Sequence, residues 1–395
     1  MQHFKCDILS RGLDSIQDLL LIGRFGIYHH IGTSIWEITQ LCMRLCIEQG
    51  LHKPPVTSRT LLQEQLERRV FWECYVIDRY SSITLDRPLA IADRDIRVLL
   101  PVDIDDEDLD AAQSVSSLDV FTTGPGHSEL TVFFTSVRHR QITSKIHSRL
   151  RLSPSTEGSS IIAPGRIYTD LYQLLDELDS WRETVPAFDH PQCVYETKDW
   201  SDLRWMRERL LLVRKAMDLV PKRGNSPPAD LVSLCLDNAI QVIAIFCRLY
   251  SSKQITYTRS YFQTLFTAGL SVIFCLSGQA GTENRGMDAL AQCQHALKQL
   301  GHDLPDAAQY VAIYEALYRH LQSTASSTVD YLPGPDSNWP SPPASLPAID
   351  APDDSTLYSA LFWDDAVWNM EAGLGEYAYG NPHDISLWDD GAFSF

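Results

Sequence analysis

Apolar residues recur at helical spacing along most of this chain, and polar stretches rich in proline, glycine and serine separate the helical stretches. The pattern predicts a helix over Ile35–Gln49, ended by Gly50 and by Pro54–Pro55. A second helix is predicted over Ser58–Leu85, with a buried face formed by Leu62, Leu66, Val70, Cys74 and Ile77. A third strongly helical stretch covers Asp202–Leu219.

No stretch alternates apolar and polar residues over several strands, and no internal repeat is present in the sequence. The chain is therefore predicted to be all-α, with an irregular multi-helix domain over residues 1–322. A linker rich in proline, serine, aspartate and alanine follows over 323–352, and residues 353–395 form an acidic tail.

An ordered series of landmarks surrounds the second predicted helix. The landmarks are Trp36, Gly50, Arg68, Arg69, Phe71, Trp72, Asp78, Arg79, Arg87 and Pro88. In this order and at this spacing they resemble the middle homology region of fungal binuclear zinc-cluster transcription factors. Further elements, among them the segment Tyr168–Trp181 and the apolar stretches Leu231–Leu249 and Tyr261–Leu276, extend the resemblance over about Asp14–His320.

The resemblance implies a regulatory domain of a nuclear transcriptional regulator, with secondary-metabolite or catabolic genes as its targets. The family's DNA-reading module needs six thiolates in two halves, each with a Cys-x-x-Cys pair. None of the nine cysteines here belongs to such a pair, and Cys42 and Cys46 are expected to be small buried hydrophobic residues. We therefore expect no bound metal or cofactor, and no direct DNA binding by this chain alone.

DNA contact would then come from an upstream domain or from a DNA-bound partner, in a homodimer or a heterodimer. The cysteine usage suits a reducing compartment. The uncharged segment Ser260–Thr282 approaches the length of a membrane span, but its polar residues favour a buried core helix, so no membrane association is expected.

The net charge of −18 is concentrated in the C-terminal tail. No lysine or arginine follows Arg319, whereas twelve aspartates and glutamates do. Bulky aromatic residues lie among these carboxylates at Phe362, Trp363, Trp368 and Trp388. This composition is typical of an activation segment that folds onto the transcription machinery or a coactivator. The alternatives are a plain disordered tail or a segment that docks back on its own domain.

One acidic cluster in the sequence has the residue types of a metal site. Asp106, Glu107 and Asp110 could hold magnesium against a diphosphate, as in an all-α isoprenoid-synthase-like enzyme, but the second metal motif of such enzymes is missing. No histidine zinc motif, nucleophile elbow or phosphate loop is present, so the chain is expected not to be an enzyme.

The charged landmarks near the second helix have two interpretations. In the first, the guanidinium groups of Arg68, Arg69 and Arg79 bind carboxylates or backbone carbonyls and hold the long loop that runs to Pro101 in place. Alternatively, Trp72, Tyr75, Arg79 and Arg87 line a ligand pocket. A basic run, which includes Arg138, Lys145 and Arg149, is expected to be a solvated helix face that could also attract the acidic tail.

Overall fold

The computed structural model describes residues 12–29, 31–57, 59–112, 127–150, 164–222, 226–252, 258–277, 283–304 and 307–329. Within these ranges the chain forms eleven α-helices and no β-strand, which confirms the all-α prediction. In chain order the helices are α1 Leu13–Tyr28, α2 Ile35–Glu48, α3 Leu61–Thr84, α4 Asp106–Ala112, α5 Thr131–Arg149, α6 Pro164–Thr184, α7 Lys198–Leu219, α8 Ala229–Ser251, α9 Arg259–Ser277, α10 Glu283–Asp303 and α11 Ala308–Val329.

Both ends of α2 follow from local sequence. Ser34 caps the first turn by accepting from the Glu37 backbone N–H, while the Glu37 side chain accepts from the Ser34 backbone N–H. At the other end Gly50 adopts a left-handed conformation with φ of 73°. That conformation lets the Leu51 N–H donate to the Cys46 carbonyl at 2.9 Å, which closes the helix in a Schellman turn.

The third helix ends in the same way, although its left-handed residue is not glycine. Asp86 has φ of 48°, and the Arg87 N–H donates to the Ser82 carbonyl at 2.8 Å. Pro88 follows and cannot continue a helix. The Asp86-Arg87-Pro88 sequence is therefore a helix stop. The start of α3 lies at Leu61, capped by the Thr60 hydroxyl, three residues later than predicted.

Two large hydrophobic clusters form the core. The first joins α1, α2, α3 and the segment around residues 91–98. The second joins α5 to α11, with α7, α8, α9 and α10 packed in sequence against one another. Helix α5 contributes to both, because Val137 packs in the first cluster and Ile142 and Ile146 pack in the second.

The second cluster contains the most apolar helices. By length and composition α8 and α9 could each cross a membrane, but 56% and 72% of their apolar windows are buried inside the protein. Phe262, Phe266 and Ile273 of α9 are fully buried. The structure thus places the predicted core helix within the core.

Helix α9 lies unusually close to its neighbours at Gly269. A Cβ atom at this position would lie 2.5 Å from Cε2 of Tyr314 and 2.7 Å from Sγ of Cys293. The Tyr314 hydroxyl donates to the Leu290 carbonyl at 3.2 Å, so its ring is held in place. The absence of a side chain at 269 is what lets α9 pack against α10 and α11.

The predicted buried face of α3 is partly wrong. Val70 and Cys74 are buried, as expected, but Leu62, Leu66 and Ile77 are only half-buried. Polar residues occupy the interior instead: Gln65 is 1% exposed, and Asp78 and Arg79 are fully buried. Apolar periodicity cannot find such a face, because it treats glutamine, aspartate and arginine as residues that contact solvent.

Candidate functional site

A stripe of polar-tipped side chains runs along α3 and binds the segment that follows the helix. We call these residues, Gln65, Arg68, Trp72, Tyr75 and Arg79, the α3 seam. They are three or four residues apart, so they share one face of the helix. The segment over residues 90–102, called here the return loop, passes along that face in the opposite direction to α3.

Each residue of the seam makes a hydrogen bond to the return loop. The Val102 N–H donates to Oε1 of Gln65 at 2.7 Å. Nη1 of Arg68 donates to the Leu100 carbonyl at 3.1 Å, and Nε1 of Trp72 donates to the Leu99 carbonyl at 3.0 Å. These bonds satisfy loop backbone groups that no strand or helix would satisfy.

The C-terminal part of the seam, Tyr75 and Arg79, binds a carboxylate of the return loop. The Tyr75 hydroxyl donates to Oδ1 of Asp93 at 2.9 Å, and Nη2 of Arg79 donates to the same oxygen at 2.8 Å. Nη2 of Arg79 also donates to the Ile91 carbonyl at 2.6 Å. The other oxygen of Asp93 accepts from Ser144 of α5 at 2.5 Å, so Asp93 links three elements.

Asp78 and Arg79 form a fully buried ion pair. Nη1 of Arg79 donates to Oδ2 of Asp78 at 2.7 Å, and the guanidinium carbon lies 3.9 Å from the centre of the Tyr75 ring. Oδ1 of Asp78 also accepts from Gln40 of α2 at 2.8 Å and from Ser82 at 3.1 Å. Burial raises the pKa of Asp78, whereas Arg79 and these donors favour its charged form.

Other landmarks pack beside this pair. Nε1 of Trp36 donates to the Ser82 hydroxyl at 3.0 Å, and the Arg87 guanidinium lies 4.5 Å from the centre of the Trp36 ring. Phe71 is fully buried in the first cluster. Arg69 forms an ion pair with Asp106 at the start of α4. The landmark series therefore corresponds to one assembly of α2, α3 and the return loop, with Gly50 and Pro88 at the helix ends.

A cleft of 1230 Å³ lies between the return loop on one side and α5 and α6 on the other. Its apolar lining comes from Trp72, Tyr75, Ile96, Val98, Leu99, Leu100, Ile142 and Trp181. The volume exceeds the usual range for small-molecule sites, and the mostly apolar lining is typical of them. The side chain of Leu99 is 67% exposed, although its carbonyl is fixed by Trp72.

Charged groups surround this apolar surface. Nζ of Lys145 lies 2.7 Å from Oε2 of Glu177, which joins α5 to α6 at the cleft. Asp93, Arg138 and Asp176 also line it. The predicted pocket residues are thus divided: Trp72 and Tyr75 line the cleft, whereas Arg79 and Arg87 are not part of its lining, because one is buried in the seam and the other stacks on Trp36.

A second polar cluster, which the sequence did not reveal, joins α5 to α7. Nη2 of Arg204 contacts Nδ1 of the fully buried His139 at 3.1 Å, and Nη1 of Arg204 donates to Ser136 at 2.9 Å. Because arginine can only donate, Nδ1 of His139 must accept, so this histidine is neutral. Burial, together with the nearby arginines 204, 140 and 207, lowers its pKa well below the usual range.

The acidic residues proposed to bind magnesium do not assemble into a metal site. Asp106 bonds to Arg69, and Glu107, Asp108 and Asp110 are exposed on the short helix α4. Among the residues that the structure describes, no group of three or more histidine, cysteine, aspartate or glutamate side chains is suited to a metal ion. The enzyme alternative is not supported.

The basic run of α5 divides into two faces. Arg138, Lys145 and Arg149 are exposed, as predicted, whereas His139 and Arg140 are buried, Arg140 with Nη1 at 3.2 Å from Oε1 of Glu208. The tail residues Phe362, Trp363, Trp368 and Trp388 lie outside the described residues, so their predicted role remains a prediction. The linker predicted over 323–352 lies outside them from residue 330 onward, but its first residues, 323–329, belong to α11.

Comparison with known proteins identifies the part of the chain that holds the seam. Residues 3–183 match the family described as "Fungal specific transcription factor domain". The match contains α1 to α5, the seam and almost all of the cleft lining, and most of α6. The zinc-cluster domain is not part of this match. No solved structure matches the chain significantly.

Several curated fungal proteins are similar to the chain. "Protein STB5" of Saccharomyces cerevisiae is 24% identical over 325 residues, which cover 76% of this chain and 40% of that protein. "Pyrimidine pathway regulatory protein 1" of the same yeast is 22% identical over 276 residues, 66% of this chain and 28% of that protein. "Positive regulator of purine utilization" of Emericella nidulans is 19% identical over 386 residues, 81% and 36% respectively.

The chain thus spans 40% or less of the length of these relatives. Two observations agree on the part that carries the seam: the ordered landmarks around α3 and the family match over the same residues. Residues 3–183 of this chain match the fungal specific transcription factor domain over the same stretch that holds the α3 seam.

Proposed function

We propose that this chain is the regulatory and output part of a fungal transcription factor. The observation that carries the proposal is the match of residues 3–183 to the fungal specific transcription factor domain. The relatives named above as regulators of pyrimidine and purine pathways support the same class of function, and none of the three is named as an enzyme. We propose a nuclear location and, as targets, a secondary-metabolite or catabolic gene set.

In this proposal another domain or a DNA-bound partner supplies the DNA contact. The sequence contains no six-cysteine cluster, and its net charge of −18 opposes binding to a polyanion. Purified chain should therefore shift duplex DNA weakly, with no sequence preference and with complete loss at raised salt. Sequence-specific, salt-resistant binding by this chain alone would contradict this part of the proposal.

The acidic tail is the proposed output segment. Its aromatic residues would supply most of the binding energy on a coactivator surface, while the carboxylates keep them exposed and speed the encounter. The full chain, fused to an unrelated DNA-binding domain, should activate a reporter gene. Replacing Phe362, Trp363 and Trp368 with alanine should abolish activation, and Trp388→Ala should reduce it.

A matched control separates the aromatic residues from the charge. Asp364→Asn with Asp365→Asn should lower reporter output without abolishing it, because the aromatic residues remain. Equal protein levels are checked by immunoblot, and nuclear entry by a fluorescent tag without the added DNA-binding domain. A silent fusion, or full activity in the aromatic variant, would remove the support for an activation tail.

A second proposal is that the cleft binds a small-molecule effector. It is favoured by the exposed Leu99 side chain beside the largely apolar lining, and by the position of the cleft against the return loop. A ligand there would contact the return loop on one wall and α5 and α6 on the other. It would thereby favour one relative position of these elements over another.

An environment-sensitive dye tests whether the cleft is accessible. Anilinonaphthalene sulfonate should fluoresce with the full chain, and Ser180→Trp, which fills the cleft, should reduce that signal. Ser148→Trp is the matched control, because Ser148 is exposed on α5 but does not line the cleft. Equal dye signals in the two variants and in wild type would contradict an accessible cleft.

A further inference from the structure

Three arginines and one carboxylate meet between α5 and α7. Arg204, Arg207 and Glu208 are three or four residues apart, so they share one face of α7. Arg140 of α5 faces them: its Nη1 lies 3.2 Å from Oε1 of Glu208, and Nη1 of Arg207 lies 2.9 Å from the same oxygen. The side chains of this trio are at most 14% exposed. We call the four residues the arginine cluster.

Arg204 forms no ion pair among the residues that the structure describes. Its two Nη atoms bond instead to neutral groups, the Ser136 hydroxyl at 2.9 Å and Nδ1 of His139 at 3.1 Å. Its guanidinium carbon lies 4.5 Å from the centre of the Trp200 ring. The arginine cluster thus brings three guanidinium charges to one carboxylate. Such a surplus of positive charge is costly away from bulk water unless an anion neutralises it.

The neighbours of Arg204 also offer hydrogen-bond donors that lack acceptors. The Ser136 hydroxyl accepts from Arg204, so its own proton is left to donate. Because Nδ1 of His139 accepts, Nε2 carries the ring proton, and Nε2 has no hydrogen-bond partner within the described ranges although the side chain is fully buried. Surplus donors and surplus positive charge call for the same ligand, an anion with oxygen acceptors. The planar fork of a guanidinium matches the oxygens of a carboxylate or a phosphate.

We propose that Arg204, together with Arg140 and Arg207, binds a small oxyanion between α5 and α7. The site is separate from the cleft, whose lining includes none of the three arginines. Arg204 is half-buried, so an anion can reach it from solvent. The Tyr80 ring of α3 lies 4.3 Å from the guanidinium carbon of Arg140 and 5.0 Å from that of Arg207. A bound anion would therefore stabilise the packing of α3, α5 and α7 together.

Inorganic phosphate added to the full chain tests the site. In a chloride buffer of constant ionic strength, millimolar phosphate should raise the melting temperature and the effect should saturate, because a ligand that binds only the folded state stabilises it by mass action. Equilibrium dialysis with radioactive phosphate should give one phosphate per chain. A parallel titration with acetate distinguishes the two oxyanion classes, since the one that saturates at the lower concentration fits the site better. If neither anion shifts the melting temperature, the proposal is overturned.

Variants of matched charge locate the binding. Arg204→Gln should remove the phosphate shift, whereas Arg204→Lys, which keeps the charge but not the fork, should weaken phosphate binding without abolishing it. Arg138→Gln is the control, because it makes the same change of charge on the exposed face of α5 and should keep the full shift.

Circular dichroism establishes that each variant is folded. The proposal is wrong if folded Arg204→Gln responds to phosphate like wild type, or if Arg138→Gln loses the response. Where Arg204→Gln does not fold, Ser136→Ala decides: it removes one donor and should raise the phosphate concentration needed for saturation, and an unchanged titration would contradict the site.

Discussion

The two halves of the core are held together by different kinds of interaction. In the first, α3 buries an ion pair and several hydrogen-bonded side chains, and the return loop depends on the α3 seam for its backbone partners. In the second, α8 and α9 bury almost only apolar side chains. Apolar packing tolerates exchange among residues of similar volume, whereas a buried hydrogen-bonded pair needs particular atoms. This difference explains why the recognisable landmarks lie around α3.

The largest expected effect is the loss of one partner from the buried pair. Arg79→Met should leave Asp78 buried without its main partner, and should remove one donor from Asp93 and the side-chain donor from the Ile91 carbonyl. We expect a loss of about 3–5 kcal/mol in the free energy of unfolding, measured with urea. The double variant Asp78→Leu/Arg79→Met should recover part of this loss, because both charges are gone. A single variant with unchanged stability would contradict the seam as a structural requirement.

In the apolar half, size should matter more than chemistry. Leu270 of α9 is 1% exposed, and Leu270→Ala should cost about 2–5 kcal/mol. Leu270→Met, which nearly conserves volume, should cost less than about 1.5 kcal/mol. Urea unfolding of the two variants gives the comparison. If methionine were as damaging as alanine, this half would also depend on specific geometry, and the contrast between the halves would fail.

His139, on the helix α5 that contributes to both hydrophobic clusters, should make the stability of the fold depend on pH. The pKa of His139 is lowered in the folded protein, so its contribution is fully present above the unfolded value of 6.5 and is lost as the pH falls below it. Protonation would break the bond from Arg204 and place charge near Arg140 and Arg207. Melting temperatures between pH 7.5 and 5 should fall more steeply for wild type than for His139→Gln. Parallel curves would show that His139 does not carry this dependence.

The smallest effect is expected at an exposed ion pair of the second half. Arg248 bonds to both carboxylate oxygens of Asp199, at 2.6 and 2.7 Å, and these bonds lower the pKa of Asp199. Because both side chains are partly exposed, Asp199→Asn should cost about 0.2–1 kcal/mol, and less at high salt. Urea unfolding at two salt concentrations checks this. If Asp199→Asn cost as much stability as Arg79→Met, the expected order of effects, with the buried ion pair above the exposed one, would be wrong.

Much of the fold could be predicted from the sequence because its helices follow apolar spacing and conventional stops. The structure places α2, α7, α8 and α9 within a few residues of the predicted stretches, and Gly50 ends α2 as expected. The α3 seam could not be predicted, because its hydrogen bonds join residues far apart in sequence. Arg68 and Leu100 are 32 positions apart, and nothing local indicates that they meet.

The same limitation hid the polar cluster between α5 and α7. His139 and Arg204 are 65 positions apart and meet only when α5 and α7 pack against neighbouring helices. In the cleft, Trp72 and Tyr75 were predicted, whereas Leu99, Lys145 and Glu177 come from three separate segments. Side-chain convergence of this kind is a property of the tertiary structure.

The close approach at Gly269 has a consequence for how this sequence can change over evolutionary time. A methyl group there would overlap the ring of Tyr314 and the sulfur of Cys293, so an alanine at 269 requires a smaller side chain opposite it. Positions 269 and 314 should therefore vary together among descendants of this chain. A side chain gained at 269 alone would separate α9 from α11, and a smaller side chain at 314 alone would leave a cavity between them. A compensated double exchange would leave the spacing of the two helices intact.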